Sequence, residues 1–168
     1  GVDYHPYLPR EDGRLPMSDF GAEHRYNVTG LLHDMWGFPN NNPKVVGELL
    51  RHLVDKIENN VNEISRYKEY WLDDAEYILI SYGSSARSTI HLAKNRRARG
   101  MKIGVLELQT LWPFPAEMIR EKCAGAKAVV VVEMNMGQVV TQVRNAVDNP
   151  DSVFLANKTT GELISPTD

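Results

Sequence analysis

The pattern of apolar and polar positions changes character twice along the chain. Residues 1–42 show no period, and "EHRYNVTGLLHDMWGFPNNN" mixes aromatic residues with turn formers. An ordered segment of that kind usually lies against something else. From Asn42 the pattern becomes helical. Asn42 is placed to cap and Pro43 to take the first helical position. Val46, Leu50, Leu53, Ile57, Val61 and Ile64 follow at steps of three and four. That spacing predicts one amphipathic helix, roughly 35 to 40 Å long at 1.5 Å per residue. After Asp73-Asp74, short apolar runs alternate with helical stretches. "AEYILISYG", "KIGVLEL", "AVVVVE" and "SVFLAN" read as strands, the last least clearly. "SSARSTIHLAKNRRARG", "PAEMIREKCAG" and "GQVVTQVRNAVDN" read as helices. Near-continuous apolar strands separated by helices predict an α/β fold. The expected architecture is three layers, a mostly parallel sheet of four or five strands with helices on both faces and right-handed crossovers. Residues 1–42 are expected to form an extended linker or interface segment, and residues 43–168 the α/β domain.

Composition narrows the function classes. The chain has 168 residues, 42% hydrophobic and 24% charged, with a net charge of −3. That balance predicts neither a nucleic-acid nor a membrane-surface partner. No apolar run approaches the ~20 residues that span a bilayer. The single cysteine, Cys123, cannot form an internal disulfide, nor hold an iron–sulfur cluster, which usually takes several thiolates. It reads as a small buried hydrophobe, and the simplest compartment is the cytoplasm. "GVDYHPYLPREDGRLPMSDFG" opens without an initiator Met, and "TTGELISPTD" stops as a new element begins. Both ends are expected to be cuts in a longer polypeptide.

Candidate chemistry collects where strands end, because ligands of such sheets bind beyond the carboxyl ends of the strands. In "SYGSSARS", Gly83 permits a tight turn and Ser84 or Ser85 caps the next helix. Its amides could receive an anion, or the serines could simply cap. In "LELQTLWPFPAE", Trp112 and Phe114 flank Pro113 in a rigid apolar loop, suited to a subunit contact or to local core packing. In "AVVVVEMNMGQ", Glu133 ends a strand, and Gly137-Gln138 opens a helix. Glu133 either satisfies amides orphaned by the turn, or acts with Asn135 and Gln138 to shape a shared active site. His33-Asp34 could be a base with its orienting carboxylate, but reads more naturally as a surface turn. The five histidines show no metal-ligand spacing. No residue is assigned a catalytic or metal-binding role.

Taken together, "RYNVTGLLHDMWGFP", "AEYILISYGSSARS", "MKIGVLELQTLWPFP" and "VVVVEMNMGQ" resemble the C-terminal part of the alpha subunit of 2-oxoacid:ferredoxin oxidoreductases. These are the 2-oxoglutarate, 2-ketoisovalerate and pyruvate synthases. The resemblance runs from about residue 24 to the end and implies a transketolase C-terminal-like domain whose role is assembly and shaping of the active-site surroundings. It implies a parent complex that decarboxylates a 2-oxoacid, passes the acyl group to coenzyme A and reduces ferredoxin. The expected partners are a thiamine-binding beta subunit, the rest of the alpha chain and, through the complex, ferredoxin. Thiamine diphosphate, magnesium and an iron–sulfur cluster are expected in that complex and none in this segment, which lacks a "GDG" magnesium motif. The family often carries an acidic residue before the His-Asp pair. Leu32 stands there, so no role is carried over to it. The alternatives are the matching domain of another transketolase-like enzyme, and a free-standing flavodoxin-like module with an anion pocket at Ser84-Ser85.

Overall fold

The computed structural model describes residues 3–167. Gly1, Val2 and Asp168, the outer ends of the two predicted spans, lie outside the described residues. The chain divides into two compact units, Gly1–Asn60 and Val61–Asp168.

The first unit carries one helix, α1 (Pro43–Glu58), and one isolated bridge between His33 and Pro39. The rest is held by turns and ring stacking. The Asp34 carboxylate accepts from the amides of Trp36 (3.0 Å) and Phe38 (3.2 Å) and from Asn40 Nδ2 (3.3 Å). Those bonds hold its carboxyl below the usual carboxylate range, although partial burial opposes them. Asp34 is therefore the turn former expected, but His33 is buried rather than superficial, stacked on Tyr7 at 4.7 Å between ring centroids. At the helix start Asn42 accepts from Lys44 N–H at 2.9 Å, and Pro43 occupies the first turn, as the sequence predicts.

The long helix does not form as one piece. It ends at Glu58, giving α1 a length of about 24 Å, and a separate turn, α2, covers Val61–Ile64. The cause is Asn59-Asn60. The Asn60 amide closes on the carbonyl of Ile57, and its side chain donates to the carbonyl of Lys56 at 2.8 Å. Local bonding thus competes with helix continuation, while the apolar spacing runs on across the break. The unit boundary also falls after Asn60, so α1 groups with the N-terminal residues and not with the sheet.

The second unit is a five-stranded sheet ordered β1-β3-β2-β4-β5. Its strands are β1 (Tyr67–Tyr70), β2 (Tyr77–Tyr82), β3 (Ile103–Leu108), β4 (Ala128–Glu133) and β5 (Val153–Asn157). The last four are parallel. The four strands read from the sequence are present, and β1 was not among them. It pairs antiparallel with β3, Tyr67 opposite Leu108 and Tyr70 opposite Val105. "YKEY" has no apolar run, and side-chain bonds add to its backbone pairing. Tyr70 donates to Glu107 at 2.8 Å, and Lys122 pairs with Glu69 at 2.7 Å.

Three helices cover the sheet: α3 (Gly83–Arg97), α4 (Ala116–Cys123) and α5 (Gln138–Ala146). Strand alternation sorts the core into two sides. Ile78, Ile80, Leu106, Leu108, Val129 and Val131 pack with Ile119 of α4 and with Val139, Val140 and Val143 of α5. Leu79, Ile103 and Val105 pack with Ala93 of α3. Each such aliphatic side chain contributes about 1.5–3 kcal/mol when buried. At Gly104 a side chain has no room. A Cβ there would meet Leu72 Cδ2 at 2.7 Å and the Trp71 carbonyl at 2.8 Å. At the start of β5, Arg144 of α5 donates to the Val153 carbonyl from Nε (3.3 Å) and Nη2 (3.0 Å), tying the helix to the strand.

Candidate functional site

Because β2, β3, β4 and β5 run parallel, their carboxyl ends share one edge. The turn after β4 organises it. Burial on both faces requires the valines of "AVVVVE", and Glu133, the last residue of the strand, is itself fully buried. Gly137 then takes φ +99° in the left-handed region and starts α5. The turn would leave the first amides of α5 without acceptors. Two side chains supply them. Asn135 Oδ1 accepts from Gly137 N–H (2.8 Å) and Gln138 N–H (3.3 Å). Glu133 accepts from Val139 N–H at Oε2 and Val140 N–H at Oε1, both at 3.0 Å. The positive end of the helix also favours the buried carboxylate.

A third donor is Tyr82, at the end of β2. Its hydroxyl donates to Glu133 Oε2 at 3.1 Å and accepts from Asn135 Nδ2. Burial first, then the Glu133 charge and hydrogen bond, push this hydroxyl up to about 12, while the Asn135 amide opposes them. Asn157, ending β5, donates from Nδ2 to the Asn135 carbonyl at 2.7 Å. The ends of β2, β4 and β5 are thus tied into one network. Neither Tyr82 nor Asn157 was singled out from the sequence. Only the strand order reveals them, since Ser81 pairs with Val132 and Glu133 with Asn157.

The remaining predicted site residues divide. Neither serine caps α3. The residue at the cap position is Tyr82, without a side-chain cap bond, and Gly83 turns the chain at φ +58°. The Ser85 hydroxyl is buried and donates to the Tyr82 carbonyl at 3.0 Å, while exposed Ser84 donates to Met134 Sδ at 3.4 Å. The Ser85 hydroxyl is thus turned into the fold, while Ser84 stays at the surface. In the loop after β3, Phe114 packs on the core, whereas Trp112 is 72% exposed. The core-packing reading of that loop fits Phe114, and Trp112 is left facing outward. Gln138 is exposed, and Met136 at the tip of the β4 turn is 79% exposed.

Residues 75–168 match the family described as pyruvate:ferredoxin oxidoreductase core domain II. The chain belongs to that family. Over 165 residues it is 36% identical to the 2-oxoglutarate synthase subunit KorA of Methanothermobacter marburgensis, covering 98% of this chain and 44% of that protein. It thus spans less than half the length of that relative. In the solved structures it is similar to a 2-oxoglutarate:ferredoxin oxidoreductase from Magnetococcus marinus, with 2-oxoglutarate, coenzyme A and succinyl-CoA bound. That likeness has a TM-score of 0.84 at 24% identity, over 98% of this chain and 29% of that one. A split-gene transketolase in an inactive beta4 tetramer matches with a TM-score of 0.50 at 20% identity, over 58% of this chain and 34% of that one. These two likenesses concern the fold, a transketolase-like α/β domain of the kind expected.

Among the described residues, no side chains are arranged as a metal or cluster site: no group of three His, Cys, Asp or Glu is placed to hold a metal. Cys123, the last residue of α4, is buried, and desolvation pushes its thiol up to about 12, far from the thiolate a cluster requires. The α5 amides that might receive a diphosphate are already spent on Glu133 and Asn135. The strand-end network thus joins Glu133, Asn135, Tyr82 and Asn157 through hydrogen bonds to one another and to the start of α5. No helix among the described residues is long and apolar enough to cross a membrane.

Proposed function

We propose that this chain is the assembly and active-site-shaping domain of a 2-oxoacid:ferredoxin oxidoreductase alpha subunit. The complex it serves would oxidatively decarboxylate a 2-oxoacid to an acyl-CoA while reducing ferredoxin. Thiamine diphosphate, magnesium and the iron–sulfur cluster would be carried by other parts of the assembly, chiefly a thiamine-binding beta subunit, in the cytoplasm. The observation that carries this reading is the match to KorA along nearly the whole chain. Its relatives are named as subunits, and a domain with a saturated strand-end network suits a supporting role.

The surface left over fits contact with other chains. Trp112 and Met136 are exposed on loops at the carboxyl edge of the sheet, and in the N-terminal unit Phe20 is fully exposed and Phe38 62% exposed. The test is co-purification of the affinity-tagged full-length subunit containing this chain with its partners. The reading expects a beta subunit to be retained by wild type but depleted by Trp112→Asp. Equal retention by Trp112→Asp would remove the edge loop from the interface. Absence of any thiamine-binding partner would remove the assembly role itself. The free-standing anion-binding module is disfavoured because the Ser85 hydroxyl is buried and spent on the Tyr82 carbonyl.

A further inference from the structure

We infer that the N-terminal unit holds a separate pocket for a small planar organic cation of the amidine or aminated-heteroaromatic class. A half-open cavity of about 540 Å³ lies between Tyr7–Pro9, the His33–Trp36 turn and α1. Its volume falls within the range that takes a small ligand. Tyr7, Leu8, Trp36 and Leu49 give it an apolar and aromatic lining.

The polar groups in the lining select the charge. No lysine or arginine lines the cavity, which disfavours a carboxylate or phosphate ligand. This separates the pocket from any site for 2-oxoacids or acyl-CoA phosphates. Asp34 is committed to its own turn through Trp36, Phe38 and Asn40. The Tyr7 hydroxyl is committed to the Asn27 carbonyl at 2.6 Å, and His33 Nε2 to Thr29 Oγ1 at 3.1 Å. Two polar groups remain. Glu48 lines the cavity from the exposed side of α1. His52, four residues on, also lines it, and its Nε2 is buried without a hydrogen-bond partner. Residues four apart share a helix face, so a carboxylate and an unpaired imidazole nitrogen address the same space. An unmet buried polar atom is uncommon and asks for a partner.

A planar cation answers each of these features. One N–H pairs with Glu48, and a second donates to His52 Nε2 in its acceptor tautomer. The ring lies against Trp36 or Tyr7, where a cation over an aromatic face gains further attraction.

Three isosteric probes test this on the whole chain: benzamidine, the neutral benzamide and the anionic benzoate. The readout is the assigned indole N–H of Trp36 in proton–nitrogen NMR spectra, with circular dichroism confirming that each variant is folded. Benzamidine should bind saturably and benzamide roughly tenfold more weakly, the value of one charge-assisted hydrogen bond. Benzoate should not bind. Glu48→Gln, at an exposed position, should abolish the preference for benzamidine over benzamide, and His52→Leu should weaken benzamidine roughly tenfold. The inference is overturned if Trp36 shows no saturable shift, if benzoate binds as well as benzamidine, or if the preference survives Glu48→Gln. Tighter binding of the tripeptide Gly-Arg-Gly would also overturn it, by assigning the pocket to a guanidinium on another protein.

Discussion

Removing the Glu133 carboxylate should destabilise the chain in the absence of any ligand or partner. Glu133 is fully buried and accepts three hydrogen bonds, at 3.0, 3.0 and 3.1 Å. In Glu133→Ala, the amides of Val139 and Val140 lose their acceptors in a buried setting. Each unsatisfied buried donor costs about 1–3 kcal/mol, reduced where water can enter the space vacated. The Tyr82 hydroxyl is only partly buried and can turn to solvent, so it adds little. The expected loss is about 2–4 kcal/mol, above the cost of losing an ordinary helix cap. Glu133→Gln keeps the volume and one acceptor oxygen, but turns an NH2 group toward one of the amides. It should cost less, about 1–2 kcal/mol. Gln138→Ala, at an exposed position beside the same turn, should stay within about 0.5 kcal/mol of wild type. Urea unfolding followed by circular dichroism reads all three as shifts in midpoint at unchanged slope. If Glu133→Ala unfolds with Gln138→Ala and wild type, the network carries no stability. The carboxylate would then have to be explained by what it does in the complex.

Tyr82 gives a pH signature at the same site. In the unfolded chain a tyrosine ionises near pH ~10, whereas in the fold Tyr82 keeps its proton to about 12. Between those values the unfolded state binds fewer protons, so this contribution is complete below pH ~10 and is lost as pH rises toward 12. The alkaline decline in stability should therefore be shallower in Tyr82→Phe than in wild type, and parallel curves would contradict the assignment. Gly137→Ala should cost about 1–2 kcal/mol in the same urea assay, because φ is +99° and the new Cβ would sit 3.3 Å from both Leu155 Cδ2 and Val140 Cγ1. Cys123 should react with Ellman's reagent only as fast as the fold opens, since its thiol is buried and shifted up to about 12. Rapid labelling of the native chain would refute that placement.

The parallel core was legible because burial on both faces leaves an apolar run that few other arrangements explain. "ILIS", "IGVL" and "VVVV" had nowhere else to go. The β1 strand was not legible, because a mostly exposed edge strand needs no apolar run, and "YKEY" is held partly by Glu107 and Lys122. The end of α1 was hidden for a related reason. Periodicity records which face is apolar, but Asn60 stops the helix through its own side-chain bond to Lys56. At the site, Glu133, Asn135 and Gly137 were legible from spacing within a single turn. Tyr82 and Asn157 were not, since their place beside Glu133 depends on β2 and β5 flanking β4, an order that no short stretch encodes. The serines misled because Ser-Ser before a helix is a strong cap pattern, yet Gly83 turns the backbone so that the Ser85 hydroxyl reaches the Tyr82 carbonyl.

The most direct test of the proposed role is the activity of the complete assembly purified through the full-length subunit that contains this chain. Viologen reduction should require both a 2-oxoacid and coenzyme A, with 2-oxoglutarate, 2-ketoisovalerate and pyruvate compared as substrates. The account predicts dye reduction by the assembly with at least one of these acids, and none by residues 1–168 alone. No 2-oxoacid-dependent reduction by an assembly that retains its thiamine diphosphate and iron, or reduction by the isolated chain, would contradict it.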